Sequence, residues 1–194
     1  MSKTVLKAGT LLAPLPAVMV SCGSIEKANI LTIAWTGIIN TQPPMTYISV
    51  RPTRHSYNII KESGEFVINL TTSKLVSETD FCGVKSGKDI DKAQKCGLHL
   101  EPASAVSAPL ITESPLSLEC RVVEIKPLGS HDMFIAEIVA VDVDSQYLDS
   151  KGKINLQQSG VMAYSHGEYF ALGRKLGSFG YSVAKKKSKG TKKG

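Results

Sequence analysis

Two short polar segments contain the residue types that bind a phosphate group. The first, 51–56 (RPTRHS), follows a predicted strand, enters a predicted helix, and holds two guanidinium groups and two hydroxyls. A helix N-terminus already favours an anion, because its free N–H groups and its dipole point toward the ligand. The cluster therefore indicates a phosphate site; the alternative is a solvated helix start.

The second segment, 83–89 (GVKSGKD), is similar to the phosphate-binding loop (P-loop) of proteins that bind nucleoside triphosphates, but it differs from that motif at two points. Its spacing is one residue shorter than GxxxxGK[ST], and Asp89 replaces the hydroxyl residue that would hold magnesium. We therefore do not expect a triphosphate here. Ser86, Gly87 and Lys88 still offer a hydroxyl, backbone N–H groups and a charge to a single phosphate. The alternative is a polar turn capped by Asp89.

Other residues that often do chemistry occur without the partners they need. Trp35, the single tryptophan, is more typical of a core or an interface than of a cofactor contact. His131 is predicted to lie in an exposed turn. The sequence contains no HxxxH, GxSxG or paired-carboxylate motif, and its four cysteines lie far apart without a CxxC. These observations argue against zinc hydrolases, serine hydrolases, glycosidases and zinc ribbons, and no metal site is predicted.

The net charge of +6 comes from one end of the 194-residue chain. Residues 185–194 (KKKSKGTKKG) contain six lysines and no acid, so residues 1–184 are formally neutral. A nucleic-acid-binding face should raise the charge of the folded body, which argues against a nucleic-acid partner there. We predict one folded domain over 1–184 and a disordered tail over 185–194, since the tail has no apolar residue to bury.

The N-terminal apolar run 11–20, followed by Cys22, superficially copies a signal peptide or a lipoprotein box. Pro14 and Pro16 interrupt the run, and residues 18–22 fit a buried strand equally well. No segment approaches the roughly 20 apolar residues needed to cross a bilayer. Separated cysteines are typical of reduced proteins of the cytosol. We therefore predict a cytoplasmic protein without membrane contact.

The elements that must position these residues are mostly antiparallel strands. Runs rich in β-branched and aromatic residues predict strands at 45–50 and 66–70. The runs 116–126 and 133–143 predict a long hairpin. Its second strand is expected to present on one face Phe134, Ala136, Ile138, Ala140 and Asp142. Short helices are predicted at 53–63, 73–81 and 89–96. Many antiparallel strands with few short helices favour a β-barrel, closed or partly closed.

Several segments, taken in order, resemble the flavin reductase-like FMN-binding family, which includes the flavoredoxins. The resemblance spans about residues 10–183. It rests on the segments PLPAVMVSCG, ANILTIAW, PPMTYISVRPTRHSYNII, GEFVINL, DFCGVKSGKDIDK, APLI, LECRVVEI, LGSHDMFIAEIVAVDVD and AYSHGEYFALGRKLGSFGYSV. The resemblance implies a mostly β fold, an antiparallel FMN-binding split barrel that forms a homodimer.

The resemblance also implies which residues contact the flavin. The segment along the flavin ring and the ribityl chain contains Asn29, Thr32, Ala34 and Trp35. The strand end beside the flavin contains Ser49, Val50 and Arg51. The residues expected around the phosphate are Arg51, Ser56, Ser86, Gly87, Lys88 and Lys92. His131 matches a histidine near the flavin of related reductases, where it would orient and polarise the reductant.

The implied function is transfer of reducing equivalents from NAD(P)H or a protein donor through bound FMN, as an NAD(P)H-dependent flavin oxidoreductase. The alternative is a non-enzymatic FMN electron carrier between redox proteins. The sequence does not separate these two, because NAD(P)H that binds on the flavin face needs no GxGxxG loop. A third class, a nucleic-acid-associated protein, predicts binding that is lost when residues 185–194 are deleted.

Overall fold

The computed structural model describes residues 1–184, and the prediction for the tail at 185–194 lies outside the described residues. The helices are α1 (His55–Ser63), α2 (Val76–Val84) and α3 (Lys92–Cys96). The strands are β1 (Leu15–Pro16), β2 (Val18–Cys22), β3 (Asn29–Ile33), β4 (Thr36–Thr41), β5 (Pro44–Val50), β6 (Glu65–Leu70), β7 (Leu100–Glu101), β8 (Leu110–Ile111), β9 (Leu116–Pro127), β10 (Asp132–Val143), β11 (Met162–Ser165) and β12 (Glu168–Ala171). Within residues 1–184, no helix is long and apolar enough to span a membrane.

A seven-stranded antiparallel sheet forms the body of the protein, in the order β3-β2-β6-β9-β10-β5-β4. The two edge strands, β3 and β4, are separated in the chain only by Ala34 and Trp35. Because the chain leaves one edge and enters the other after two residues, the sheet must curl until its edges meet. The Ser49 N–H donates to the Trp35 carbonyl (2.9 Å) at this seam. The predicted antiparallel β-barrel is therefore confirmed.

The core fills the inside of the barrel with alternate residues of the strands. Fully buried members of this core are Val20, Ile48, Phe66, Cys120 and Phe134. Side chains alternate along a strand, so the neighbours of these residues face outward. On the outer face of β2 and β3, α2 and α3 contribute to a second buried cluster. This layer positions the loop after α2 beside β3, at the edge of the barrel.

The predicted long hairpin is confirmed as β9 and β10, but its alternation is interrupted. Phe134 faces the core as expected. The register then shifts at Val139, which has no partner on β9, and Ala140 pairs with Glu119. A β-bulge of this kind reverses which residues face each side of the sheet. The expectation that Ala140 and Asp142 share the face of Phe134 is therefore wrong.

The strands predicted at 45–50 and 66–70 are present as β5 and β6, whereas α1 begins later than predicted. It starts at His55 rather than Thr53. The reason is a turn in which the Arg54 N–H donates to the Arg51 carbonyl (2.9 Å), which delays the first helical residue. Both arginines therefore lie in the connection between β5 and α1.

The other two helices also begin later than predicted. Ser73–Leu75 forms a single 3₁₀ turn, and α2 follows it from Val76. The cap of α3 is Asp91, whose side chain accepts a hydrogen bond from the Gln94 N–H (3.0 Å). Asp89 is therefore not the capping residue, because it lies in the turn that precedes this cap.

Candidate cofactor-binding groove

A groove lies where the barrel closes, bordered by β3, β5, α1 and α2. It consists of two adjoining cavities of about 340 and 350 Å³, which share the lining residues Leu31, Thr32, Arg51, Arg54 and Gly83. We call the first cavity the aromatic end; its other lining residues are Ala17, Ile33, Ala34, Trp35, Ser49, Val50, Asp80, Val84, His131, Tyr164 and Tyr169. We call the second the basic end; its other lining residues are Asn29, Thr53, His55, Ser56, Cys82, Lys85, Ser86, Gly87 and Lys92.

Lys92 forms the buried floor of the basic end. Its side chain is only 4% exposed, and Nζ donates to the carbonyls of Ile30 (2.6 Å) and Cys82 (2.9 Å). An ammonium group has three N–H donors, so one remains for a ligand in the cavity that Lys92 lines. Burial lowers the pKa of Lys92. An anion in the cavity would stabilise the charged form of this side chain.

Gly87 allows the loop after α2 to rest directly on Asn29. A Cβ at Gly87 would lie 1.9 Å from Asn29 Oδ1, so a larger residue requires the loop to move. Asn29 Nδ2 donates to Ser56 Oγ (2.5 Å), and both side chains are buried. The Lys88 N–H donates to Ser86 Oγ (3.2 Å), which closes the loop as a tight turn. The loop, β3 and the first turn of α1 therefore meet at one point.

The electrostatics of the basic end are uniformly positive. Its charged lining residues are Arg51, Arg54, Lys85 and Lys92, and none of its described lining residues is Asp or Glu. The N-terminus of α1 adds a positive potential of its own. Four cations around buried hydroxyl and amide groups are suited to bind a single phosphate.

Aromatic side chains surround the other cavity, near the barrel seam. Trp35, which is 40% exposed, lines it from the seam itself. Tyr164 and Tyr169 face it from the β11–β12 hairpin, with ring centroids 5.8 Å apart in an edge-to-face arrangement. The Tyr169 hydroxyl donates to Asp80 Oδ1 (3.2 Å), which links the hairpin to α2. Burial, with the charge of Asp80, raises the pKa of Tyr169 to about 12, so the phenol keeps its proton.

His131 lies in the turn before β10 and lines the aromatic end. Its Nδ1 is 3.0 Å from Ser130 Oγ. Burial and the positive charges of Arg51 and Arg54 lower the pKa of His131, so the imidazole is neutral at pH 7. A neutral imidazole has one donor and one acceptor, which suits it to orient a ligand by hydrogen bonding.

The structure brings most of the predicted site residues together in this groove. The basic end contains Asn29, Ser56, Ser86, Gly87 and Lys92. The aromatic end contains Ala34, Trp35, Ser49, Val50 and His131. Thr32 and Arg51 line both ends. Lys88 is not among the lining residues, because it faces a neighbouring depression that also contains Asp89 and Asp91.

Sequence reasoning gave no role to Asp80 and Lys85, which line the groove. It left open whether the segment 164–181 covers the flavin or a partner subunit, and Tyr164 and Tyr169 line the aromatic end. Arg54 belongs to the polar cluster 51–56 that predicts a phosphate site, although the family resemblance did not place it among the phosphate contacts. Asp80 has no local signal, since an acid on the exposed side of a helix is common. Within residues 1–184, no group of three or more His, Cys, Asp and Glu side chains is arranged to hold a metal ion.

Comparisons with known proteins agree with this fold. The family model of the flavin reductase like domain matches residues 11–173, and the chain belongs to this family. Flavoredoxin of Desulfovibrio vulgaris (Miyazaki F) is 30% identical, with a TM-score of 0.86 over 94% of this chain and 100% of that one. Flavoredoxin from Methanosarcina acetivorans is 28% identical, with a TM-score of 0.86 over 95% of this chain and 100% of that one. A protein with a split barrel domain from Shewanella frigidimarina NCIMB 400 is 25% identical, with a TM-score of 0.76 over 85% of each chain. The family resemblance of the sequence and the split-barrel fold are thus confirmed.

Proposed function

We propose that the groove binds FMN and that the protein is an oxidoreductase that passes reducing equivalents from NAD(P)H or a protein donor through this flavin. The observation that carries the proposal is the junction of a basic cavity, without acidic lining residues in the described chain, and an aromatic cavity. FMN has the same two parts, a phosphate and a planar ring joined by a polar chain. Membership of the flavin reductase-like family supports this assignment.

The basic end fits the phosphate of FMN. Ser56 Oγ accepts a hydrogen bond from Asn29, so the hydroxyl proton of Ser56 is available to a phosphate oxygen. Lys92 has one N–H left after its two bonds to carbonyls. Arg51 has a planar fork of donors that suits two phosphate oxygens. These three groups come from α1, α3 and the end of β5, so the phosphate would join separate elements of the fold.

The aromatic end fits the planar ring. Ala34 and Trp35 line this end from the barrel seam. The Thr32 hydroxyl donates to the Thr79 carbonyl, so the hydroxyl oxygen of Thr32 can only accept a hydrogen bond from a ligand. FMN supplies the redox chemistry when bound, since its ring takes up a hydride and releases electrons singly or in pairs. The protein would bind the ring, exclude water from one side and orient the reductant. We assign this last role to His131.

We also propose that the protein is a cytoplasmic homodimer. Apolar side chains are exposed on the edge strand β4 and on the segment after β12, for example Ile38, Leu176 and Phe179. A second copy would cover them, and burial of apolar area drives association. The four cysteines are free thiols, which is typical of a reducing compartment. Light scattering should give twice the chain mass of 20.8 kDa; a monomer contradicts the dimer proposal.

A second candidate function is that of an FMN electron carrier between redox proteins. The similarity to two flavoredoxins favours it. Steady-state oxidation of NADH and NADPH separates the two functions. Turnover with either nucleotide supports the oxidoreductase. No turnover with either, together with rapid reduction by a ferredoxin-type donor, supports the carrier.

The test of flavin binding is a titration of the purified protein with FMN and with riboflavin, followed by flavin absorption. Riboflavin is the matched control because it has the same ring and ribityl chain but no phosphate. We expect FMN to bind at least about tenfold more tightly, since only FMN occupies the basic end. No spectral change with FMN contradicts the proposed function, and equal affinities contradict the placement of the phosphate.

A further inference from the structure

The aromatic end contains a carboxylate that the binding of FMN does not explain. Asp80 lies on the exposed side of α2 and is the only acidic residue among the described residues that line the groove. Arg51 and Arg54 line both cavities and therefore lie at their junction, whereas Asp80 lines the aromatic end alone. The one acidic residue among these described lining residues is thus confined to the aromatic end, whereas Lys85 and Lys92 line the basic end alone.

Tyr169 holds this carboxylate and limits what the pair can bind. Its hydroxyl donates to Asp80 Oδ1 at 3.2 Å, so the single proton of the phenol is already used. The pair therefore has only acceptors left for a ligand, namely the second oxygen of Asp80 and a lone pair of Tyr169. A ligand with an N–H group would be bound there, whereas a ligand carboxylate would be repelled by Asp80.

The aromatic side chains beside Asp80 favour a ligand with a planar ring. Tyr164 and Tyr169 present two rings whose planes meet at 63°, and Trp35 adds a third aromatic group to the lining. Aromatic faces bind planar rings by stacking or edge contact, and they attract a positive charge placed over the ring. The rings and the carboxylate therefore favour the same kind of ligand.

We propose that Asp80, held by Tyr169, selects the molecule that meets the flavin at the aromatic end. The selected molecule is a planar ring that carries an N–H donor or a positive charge, and not a carboxylate. This inference rests on the proposed FMN site and adds a specificity-determining residue to it. It assigns Asp80 to recognition of the ligand and leaves the phosphate of FMN to the basic end.

The test uses the FMN-reconstituted protein and two pyridines of the same shape. Pyridine-3-carboxamide is neutral and has N–H donors, and pyridine-3-carboxylate is an anion at neutral pH. Their dissociation constants are measured from the change in flavin absorption, without turnover. We expect the carboxamide to bind about tenfold more tightly to the wild type, the range of a hydrogen bond to a charged group. In Asp80→Asn this preference for the carboxamide should fall from about tenfold to less than about threefold, because the charge is removed and the shape is kept.

Glu168→Gln is the matched control. Glu168 is an exposed acid on the β11–β12 hairpin, which also contains Tyr169, and it does not line the groove. The variant changes the net charge by the same amount as Asp80→Asn. It should keep the wild-type ratio. An unchanged ratio in Asp80→Asn overturns the inference but leaves the FMN site intact. A wild-type preference for the carboxylate, or binding of neither pyridine, also overturns it. Failure of FMN to bind rejects both proposals and is detected first, by the absence of a flavin spectral change.

Discussion

The hydroxyl of Tyr57 donates a 2.6 Å hydrogen bond to Oδ2 of Asp132, which joins the first turn of α1 to the start of β10. Helix α1 begins at the basic end of the groove, and Asp132 directly follows His131. The Tyr57 ring also packs edge-on against Phe134, with 5.4 Å between centroids. This contact therefore sets the spacing between the helix proposed to bind the phosphate and the histidine proposed to orient the reductant.

Tyr57→Phe should lower the free energy of unfolding by about 1–3 kcal/mol, because the buried Asp132 carboxylate loses its donor. Urea unfolding followed by circular dichroism measures the change. Tyr181→Phe is the control, since Tyr181 is exposed, and it should shift stability by less than about 0.5 kcal/mol. Wild-type stability in Tyr57→Phe would show that the hydrogen bond makes no net contribution.

Arg51→Ala should weaken FMN binding about tenfold or more and leave riboflavin binding unchanged, since Arg51 is expected to pair with the phosphate. Lys88→Ala removes the same charge from a side chain outside the groove and should change the FMN dissociation constant less than about threefold. Quenching of flavin fluorescence measures both constants. Equal losses in the two variants would argue for a phosphate on the side of Lys88.

Gly87→Ala should displace the loop after α2, because its new Cβ would lie 1.9 Å from Asn29 Oδ1. We expect a loss of FMN affinity of about tenfold and a loss of stability of about 1–3 kcal/mol. Gly173→Ala is the matched control, since nothing lies within 4 Å of a Cβ at that position. Flavin titration and urea unfolding report the two effects. Normal FMN affinity in Gly87→Ala would exclude this loop from the site.

Glu119 should make the protein sensitive to acid. Its buried carboxylate accepts hydrogen bonds from the backbone N–H groups of residues 104–106 and from the Ser104 hydroxyl. Burial opposes ionisation, but these bonds outweigh burial and hold the pKa of Glu119 below its usual value. The unfolded chain then binds more protons than the folded one. This stabilisation is therefore present at neutral pH and is lost as the pH falls below the ordinary glutamate pKa of about 4.3.

The measurement is urea unfolding between about pH 3 and pH 7. Glu119→Gln should cost about 2–4 kcal/mol at neutral pH and flatten the dependence on pH, because an amide nitrogen would face backbone donors. Glu124→Gln, on the exposed part of the same strand, should behave as the wild type. A wild-type pH profile in Glu119→Gln would assign the acid sensitivity to other groups.

Asp142 should have the opposite effect on the pH dependence of stability. Its Oδ2 is buried and has no hydrogen-bond partner among the described residues. Burial and the nearby charge of Glu119 raise its pKa. The stabilisation linked to a raised carboxyl pKa is present in acid and is lost as the pH rises through the folded-state value. Asp142→Asn should therefore stabilise the protein by about 1 kcal/mol at neutral pH, and this gain should shrink in acid. A destabilised variant at neutral pH contradicts this assignment.

Local patterns were sufficient to predict β2, β5, β6 and the β9–β10 hairpin, but they did not predict β3 and β4 or the order of the strands in the sheet. The β-branched and aromatic runs of β5 and β6 are local features bounded by turn residues, so composition locates these strands. The bulge at Val139 depends on how β10 pairs with β9, which no local pattern records. The curl that brings β3 next to β4 follows from the order of the strands in the sheet. The sequence predicted a β-barrel but left open whether it is closed or partly closed.

The site shows the same division between local and long-range information. Lys88 and Lys92 stand in one polar segment, and their types alone do not separate them. Capping by Asp91 sets the start of α3, after which Lys92 points inward and is buried. The contact of Gly87 with Asn29 joins distant parts of the chain, so only the folded structure explains why glycine is required there.

Trp35 gives the protein a built-in fluorescent reporter. The chain has a single tryptophan, and its side chain lies at the barrel seam and in the aromatic end of the groove. Indole emission should therefore respond both to opening of the barrel and to a molecule that enters the groove. Because flavins absorb where indole emits, resonance energy transfer would quench Trp35 when FMN is bound. Unfolding and binding can thus be followed without a label, on one residue whose surroundings are known.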